Sequence, residues 1–449
     1  MLQIRDYRHL FGAQLVALGG NGLTTVAFGL LAFNLADGNA ATVLATALTI
    51  KMVTYVVIAP IAGAYASRFN RRHLLVVLDL VRAGVVVALP FADQIWQVYM
   101  LVALMQTASA AFTPTFQAVL PDILPNEEHY TRALSYSQLA STLETLLSPL
   151  LAAVLISFID FHWLFAGTAI GFLVSASLVV SSRIPDAMDH STYSIADRIL
   201  SGMRIFAATP RLRGLMGLNL TVAAVGSIVM VNTVNLVQQH LERTEADVAW
   251  LLTANGVGIL VVALVVPRLL HRYSDRTIMT TGATIMTVSA IAMTVYTFGA
   301  GGPWQWPTLI AIWTMMGLGS AAILTPAGRV VLRSSAPEDR PALFAAQFSL
   351  SHACWLLTYP IAGWVATEVG YTITWAVQAV LATIGTAVAR LSWPSSEPAL
   401  VEHFHPLNVA DRDHITDATR TQDGYVHAHE FLIDQLHHRW PAKGRRAIA

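Results

Sequence analysis

The sequence predicts an all-α membrane protein whose twelve transmembrane helices form two pseudo-symmetric six-helix bundles. Three observations lead there: apolar runs long enough to cross a bilayer recur along the chain, the chain repeats itself once, and its arginines fall almost entirely on one side of the predicted spans. The 449 residues are 55% hydrophobic and only 12% charged, with a mean hydropathy of +0.56, well outside the soluble range. About 20 apolar residues at 1.5 Å each cross the hydrocarbon core, and runs of that length recur from Phe11 to Arg390.

The first half supplies spans at 9–34, 41–64, 74–91, 96–118, 133–157 and 162–182. The opening run is long, holds Asn21 and lacks a clear cleavage site, so it reads as a span rather than a removable signal peptide. Between the fourth and fifth spans, Pro121-Asp122 and Pro125-Asn126-Glu127-Glu128 predict a turn followed by a helix start. Residues 184–212 link the halves. Within them Ser194–Ala208 places Ile195, Ile199, Met203 and Ile205 roughly on one side, the pattern of an amphipathic helix lying on the inner membrane surface. The second half supplies spans at 213–238, 247–270, 278–299, 305–327, 342–366 and 371–393. Beyond Trp393-Pro394 the composition changes, and 395–449 is a polar tail holding seven of the fifteen histidines. The expected units are therefore 1–183 and 213–394 as bundles, 184–212 as linker and 395–449 as tail.

The repeat joins residues about 204 to 212 positions apart. Ser109-Ala110-Ala111-Phe112-Thr113-Pro114, then Leu120 and Pro125, recurs as Ser320-Ala321-Ala322-Ile323-Leu324-Thr325-Pro326, then Leu332 and Pro337. Ala133-Leu134 with Gln138 recurs as Ala342-Leu343 with Gln347, and Ser67-Arg68-Phe69-Asn70-Arg71-Arg72 stands opposite His271-Arg272-Tyr273-Ser274-Asp275-Arg276. Two similar halves in a hydrophobic chain point to a membrane transporter with its substrate site where the halves meet.

Charge placement predicts the orientation. Arg5 and Arg8 precede the first span, Arg68, Arg71 and Arg72 follow the second, and Arg183, Arg198, Arg204, Arg211 and Arg213 lie around the linker. Arg268, Arg272 and Arg276 follow the eighth span and Arg329, Arg333 and Arg340 the tenth, whereas the opposite side carries only Arg243. Positive loops stay in the cytoplasm, which predicts a multi-pass protein of the inner membrane with both termini cytoplasmic. The one cysteine, Cys354, lies inside a span, so disulfides play no part.

The duplication, the loop Gly63-Ala64-Tyr65-Ala66-Ser67-Arg68-Phe69-Asn70-Arg71-Arg72 and the segment Leu120-Pro121-Asp122-Ile123-Leu124-Pro125 resemble the major facilitator superfamily over about residues 5–394. Within it the chain is similar to the efflux branch that includes enterobactin and macrolide exporters. The loop after the second span resembles the family's glycine-acid-arginine signature, which implies a gating role for Gly63, Arg68, Arg71 and Arg72. Ser67 stands where the family has aspartate and Asn70 where it has glycine. In the family that acid latches the two bundles, so the resemblance implies a latch weakened or rebuilt here. The histidine-rich tail, with Ser351-His352-Ala353-Cys354-Trp355, is similar to permeases associated with nickel resistance.

Ionisable and polar groups inside spans are costly and ask for a reason. Lys51 lies about 16 Å from the outer end of its span, Glu144 about 17 Å and His352 about 15 Å from the inner ends of theirs, at 1.5 Å per residue. Asn21 falls at a similar depth, so all four are expected at the midplane cavity. Glu144 can carry a coupling proton or partner Lys51; Lys51 can neutralise Glu144, meet an anionic substrate or snorkel. Asp79 and Arg82, three apart on one helix face, read as a structural ion pair. His352 and Cys354 have metal-ligand chemistry but point about 200° apart on a helix, so they cannot share one ion; a hydrogen-bonded histidine beside a packed cysteine is the plainer reading. In the tail, His403, His405, His414, His427, His429, His437 and His438 suit Zn, Ni, Co or Cu, although none of their spacings closes a zinc-finger pattern and a solvated tail with incidental histidines stays open. Phe431, Leu432, Ile433, Leu436 and Trp440 oppose complete disorder.

There is no Gly-x-x-x-x-Gly-Lys-Ser/Thr loop, no Gly-x-Ser-x-Gly elbow and no His-Glu-x-x-His, so neither ATP-driven transport nor an enzyme is expected, and nucleic acid is not an expected partner. The expected function is a secondary exporter working by alternating access and proton antiport, with the lipid bilayer, protons and a substrate as partners and no cofactor beyond transition-metal binding in the tail. The tail favours a transition-metal ion or complex such as nickel or cobalt as substrate, the wider resemblance a drug, and Lys51 a siderophore or other organic anion. A membrane-embedded metal sensor is the rival.

Overall fold

The computed structural model describes residues 3–35, 40–66, 69–156, 158–160, 162–185, 195–298, 304–337, 339–395, 400–406, 418–429, 431–433, 437, 440 and 447–448. Six helices build the first half: α1 (Arg5–Leu35), α2 (Ala40–Ala66), α3 (Arg71–Ala88), α4 (Ile95–Ile123), α5 (Glu127–Ile156) and α6 (His162–Val180). The linker helix α7 (Ile195–Ala208) follows, and α8 (Pro210–Ser227) opens the second half. It continues through a π-helical turn, Ile228–Asn232, the short α9 (Thr233–Asn235) and a second π-helical turn, Leu236–His240. Then come α10 (Glu245–Leu269), α11 (Asp275–Phe298), α12 (Gln305–Leu332) and α13 (Arg340–Pro360). A third π-helical turn, Ile361–Val365, leads from α13 into α14 (Ala366–Glu368), before α15 (Tyr371–Ser392).

Helices occupy all twelve expected spans, and eight of them are long and apolar enough to cross a membrane among the described residues. α1, α5 and α13 turn polar side chains inward, such as Gln14 and Asn21 of α1, Ser137 and Ser141 of α5, and Gln347 and Ser351 of α13.

Helix starts follow local capping chemistry. Asn70 accepts the His73 N–H at 3.0 Å to cap α3, and Asn126 accepts the N–H groups of Glu128 and His129, both at 3.0 Å, at the start of α5. Helices at the arginine-rich end run past the apolar runs. α5 begins at Glu127 rather than 133 and α12 reaches Leu332 rather than 327, because polar turns beyond the hydrocarbon cost nothing as helix.

Each half has its own apolar interior. Phe165, Phe172, Leu164 and Leu89 fill the first, and Trp313, Trp375, Met286 and Met293 the second. One side of the linker helix packs on the protein. Gly202, Ile205 and Phe206 are buried, and a Cβ at Gly202 would sit 2.2 Å from the Ala342 carbonyl oxygen, so α7 docks on the first turn of α13. The side chains of Ile195 and Ile199 lie outside the described residues.

The tail folds as a small sheet of β1 (Val401–Pro406), β2 (Thr419–Arg420), β3 (Gly424–His429) and β4 (Ala447–Ile448), in the order β2-β3-β1-β4. β1 and β3 pair antiparallel with His403 opposite His427. Phe431 and Ile433, each 3% exposed, join the apolar cluster that holds Phe206, Leu212 and Trp393, and the Arg211 guanidinium lies 5.8 Å from the Trp440 ring. The apolar tail residues therefore anchor the sheet to the second half.

Candidate functional site

A cavity of about 370 Å³ lies between the two halves, within the size range of small-molecule sites. The first half lines it with Gln14 and Asn21 of α1, Arg82 of α3, Phe112, Phe116 and Gln117 of α4, and Leu134, Ser137 and Ser141 of α5. The second half adds Asn219 of α8, Leu324 and Gly328 of α12, and Phe344, Gln347, Phe348, Ser351, His352 and Trp355 of α13. Aromatic rings supply apolar area while amides and hydroxyls supply both donors and acceptors.

The polar lining is held in place by short contacts. Asn219 and Gln347 exchange two amide hydrogen bonds, 3.1 and 3.2 Å, and Ser137 donates to the Gln14 side-chain oxygen at 2.8 Å. Arg82 donates to Asp79, which also accepts from Ser175 Oγ at 2.7 Å. The guanidinium lies 4.1 Å from the Phe112 ring and 4.6 Å from Phe172. Asp79 is fully buried and Arg82 is 2% exposed, so a charged group at the cavity wall is paired and sandwiched between rings.

Of the expected midplane residues, Asn21 and His352 line the cavity, whereas Lys51 and Glu144 are half-buried outside the lining. Lys51 Nζ lies 5.7 Å from the Tyr55 ring, and Tyr55 packs against Phe348 and His352 at 5.0 and 4.9 Å where α2 meets α13. His352 Nδ1 lies 2.7 Å from its own helix carbonyl at Phe348. Cys354 is buried away from the cavity. Glu144 continues the α5 stripe Leu134, Ser137, Ser141 at helical spacing, one turn further along. Sequence reasoning missed Gln14, Asn219 and Gln347. The signal was there, as amides inside apolar runs and, for Gln347, as the repeat partner of Gln138.

The halves meet again at their arginine-rich ends. Asp122, at the end of α4, accepts from Arg71 of its own half at 2.5 Å and from Arg340 of the other half at 2.6 Å. Glu127 pairs with Arg329 across the halves at 3.0 Å, and Arg329 and Arg333 lie 3.2 and 3.0 Å from Asp275. The first half thus presents carboxylates and the second half guanidinium groups. Beside them α2 crosses α13 closely: a Cβ on Gly63 would stand 2.4 Å from Ala345 Cβ, and Ser349 donates to the Val56 carbonyl at 2.6 Å. Arg72 is half-buried, and Arg68 lies outside the described residues together with Ser67. The cross-half carboxylates come from Asp122 at the end of α4 and Glu127 at the start of α5.

In the tail, the side chains of His403, His405, His427 and His437 are gathered into one cluster. His414 and His438 lie outside the described residues, as does the side chain of His429.

Comparison with known proteins agrees with this architecture. The chain is 26% identical to the multidrug efflux pump Tap of Mycolicibacterium fortuitum, over 81% of this chain and 89% of that protein. It is 28% identical to macrolide efflux protein A of Streptococcus pyogenes over 33% of this chain and 38% of that protein. The chain spans about half, or less, of the length of the first curated relatives that it matches. The crystal structure of the human organic anion transporter MFSD10 (TETRAN) shares the fold, with a TM-score of 0.70 at 14% identity over 86% of this chain and 99% of that one. The Major Facilitator Superfamily pattern covers residues 10–208 and 214–406, and with two six-helix halves around a shared cavity the chain belongs to that family of multi-pass membrane transporters.

Proposed function

We propose that the chain is a proton-coupled exporter of amphipathic organic molecules, with its arginine-rich end in the cytoplasm of a cell bounded by an inner membrane. The observation that carries this reading is the cavity lining. Phe112, Phe116, Phe344, Phe348 and Trp355 offer rings to an apolar scaffold, while Gln14, Asn21, Gln117, Asn219 and Gln347 offer paired donors and acceptors. The efflux pumps among its relatives favour export. A bare transition-metal ion as cargo is served less well. His352 is the one strong metal ligand in the described lining, which holds no carboxylate and includes the guanidinium of Arg82.

Alternating access is assigned to the contacts at the arginine-rich ends, where opening must separate Asp122 from Arg340 and Glu127 from Arg329. Proton antiport is assigned to Glu144, which prolongs the cavity-facing stripe of α5. The test is flux in proteoliposomes that carry an imposed proton gradient. Saturable, gradient-driven movement of a lipophilic dye or a macrolide is expected. Gradient-driven Ni²⁺ or Zn²⁺ movement without dye movement would reassign the cavity to metal cargo, and vectorial flux of neither would favour the sensor.

A further inference from the structure

We propose that the tail carries a transition-metal site built from the imidazoles of His403, His405 and His437, with the His427 ring beside His403, separate from the transport cavity. Three segments far apart in sequence converge there. His403 and His405 are two apart on β1 and share a face, and strand pairing sets His427 of β3 directly opposite His403. His437 reaches the same point from beyond β3. His403 Nε2 lies 3.0 Å from His427 Nε2 and 3.0 Å from His437 Nε2. One ligand nitrogen from each of His403, His405 and His437 falls within 4.8 Å of the others.

Hydrogen bonding among the rings accounts poorly for this packing. His403 Nδ1 lies 3.0 Å from the Val401 carbonyl, which places its proton on Nδ1 and leaves one in-plane lone pair on Nε2. That lone pair can accept one linear hydrogen bond, yet two ring nitrogens stand at hydrogen-bond distance. Ligands about 2.0–2.1 Å from a single ion stand about 2.8–3.4 Å apart in cis-octahedral or tetrahedral arrangements, which brackets the two 3.0 Å separations. The Val401 carbonyl would then act as the outer partner that fixes ring orientation in imidazole metal sites.

The surroundings suit an ion held for long periods. His403, His405 and His437 are 1%, 2% and 0% exposed, and the Phe431 ring covers His403 and His437 at 5.1 and 4.6 Å. An all-imidazole donor set selects Zn²⁺, Co²⁺, Ni²⁺ or Cu²⁺ over Mg²⁺ and Ca²⁺, which take oxygen ligands. Because Phe431 also belongs to the apolar interior of the second half, an ion there would clamp β1, β3 and the His437 segment onto the transporter.

The test uses the full-length protein, purified without a histidine tag, stripped with a chelator and titrated with Co²⁺. One Co²⁺ per chain is expected, and Co²⁺ or Zn²⁺ X-ray absorption should give a nitrogen shell at about 2.0–2.1 Å. His403→Asn and His437→Asn should each weaken Co²⁺ binding by about tenfold or more, while His271→Asn on an exposed turn leaves it unchanged. Since both target residues are buried, His427→Asn at a half-exposed position serves as a second variant with the same expected loss. An oxygen-dominated shell, non-saturating uptake, or affinity unchanged in all three tail variants would overturn the site.

Discussion

Replacing Asp122 by Asn tests the closure of the arginine-rich end. The carboxylate holds Arg71 at 2.5 Å and Arg340 at 2.6 Å, but only Arg340 belongs to the other half, so one charge-assisted bond is lost across the opening. Such bonds contribute about 1.5–3 kcal/mol when well shielded. The Asp122 and Arg340 side chains are each 21% exposed, and solvent screening reduces the figure to about 1–2 kcal/mol. At about 1.4 kcal/mol per factor of ten, the open-to-closed ratio should rise about 5- to 30-fold. Spin labels at His73→Cys and His271→Cys, one on each half at this end, in a Cys354→Ser background, read that ratio as a distance distribution. Arg340→Gln should produce the same shift, and the double variant should add little because both changes remove one contact. An unchanged distribution in Asp122→Asn, or full additivity in the double variant, would refute the assignment.

Three further outcomes follow from the same geometry. Glu144→Gln should abolish dye efflux driven by a proton gradient while leaving gradient-free exchange of dye across the membrane; undiminished gradient-driven efflux would remove Glu144 from coupling. Asp79→Asn leaves Arg82 buried without its carboxylate and should cost about 3–5 kcal/mol, read as a large fall in thermal unfolding temperature in detergent, whereas the wild-type temperature would contradict a structural role for the pair. Gly63→Val sets a side chain against Ala345 at the closest approach of α2 and α13, and should shift the spin-label distances toward opening as Asp122→Asn does.

The architecture was legible because a bilayer imposes length and hydropathy on every span, and because duplication left Thr113-Pro114 and Thr325-Pro326 in matching places. The ends of helices were less so. Glu127 and Leu332 lie outside the apolar runs yet inside helices, since capping and charge rather than hydropathy decide where those helices stop. Within the site, Asn21 and His352 stood out as polar groups at midplane depth, and both line the cavity. The contact between Asp122 and Arg340 joins positions 218 apart in sequence and exists only once the halves close, so no local pattern announces it; of the gating loop, Gly63 lies at the approach of α2 to α13 and Arg71 on Asp122. The histidine cluster is similar. Its residues read as metal ligands by type, but only the β1–β3 register brings His427 to His403.

Transport by alternating access requires substrate to occupy the cavity between the halves. Ser351 lines that cavity from α13, and Ser351→Cys in a Cys354→Ser background places a single thiol on its wall. The measurement is the rate at which a water-soluble thiol reagent labels this cysteine in proteoliposomes as dye concentration rises. Dye in the cavity should slow labelling with a midpoint equal to the half-saturating concentration for its efflux. Labelling that proceeds at the same rate under saturating dye, while efflux continues, would place the substrate outside this cavity.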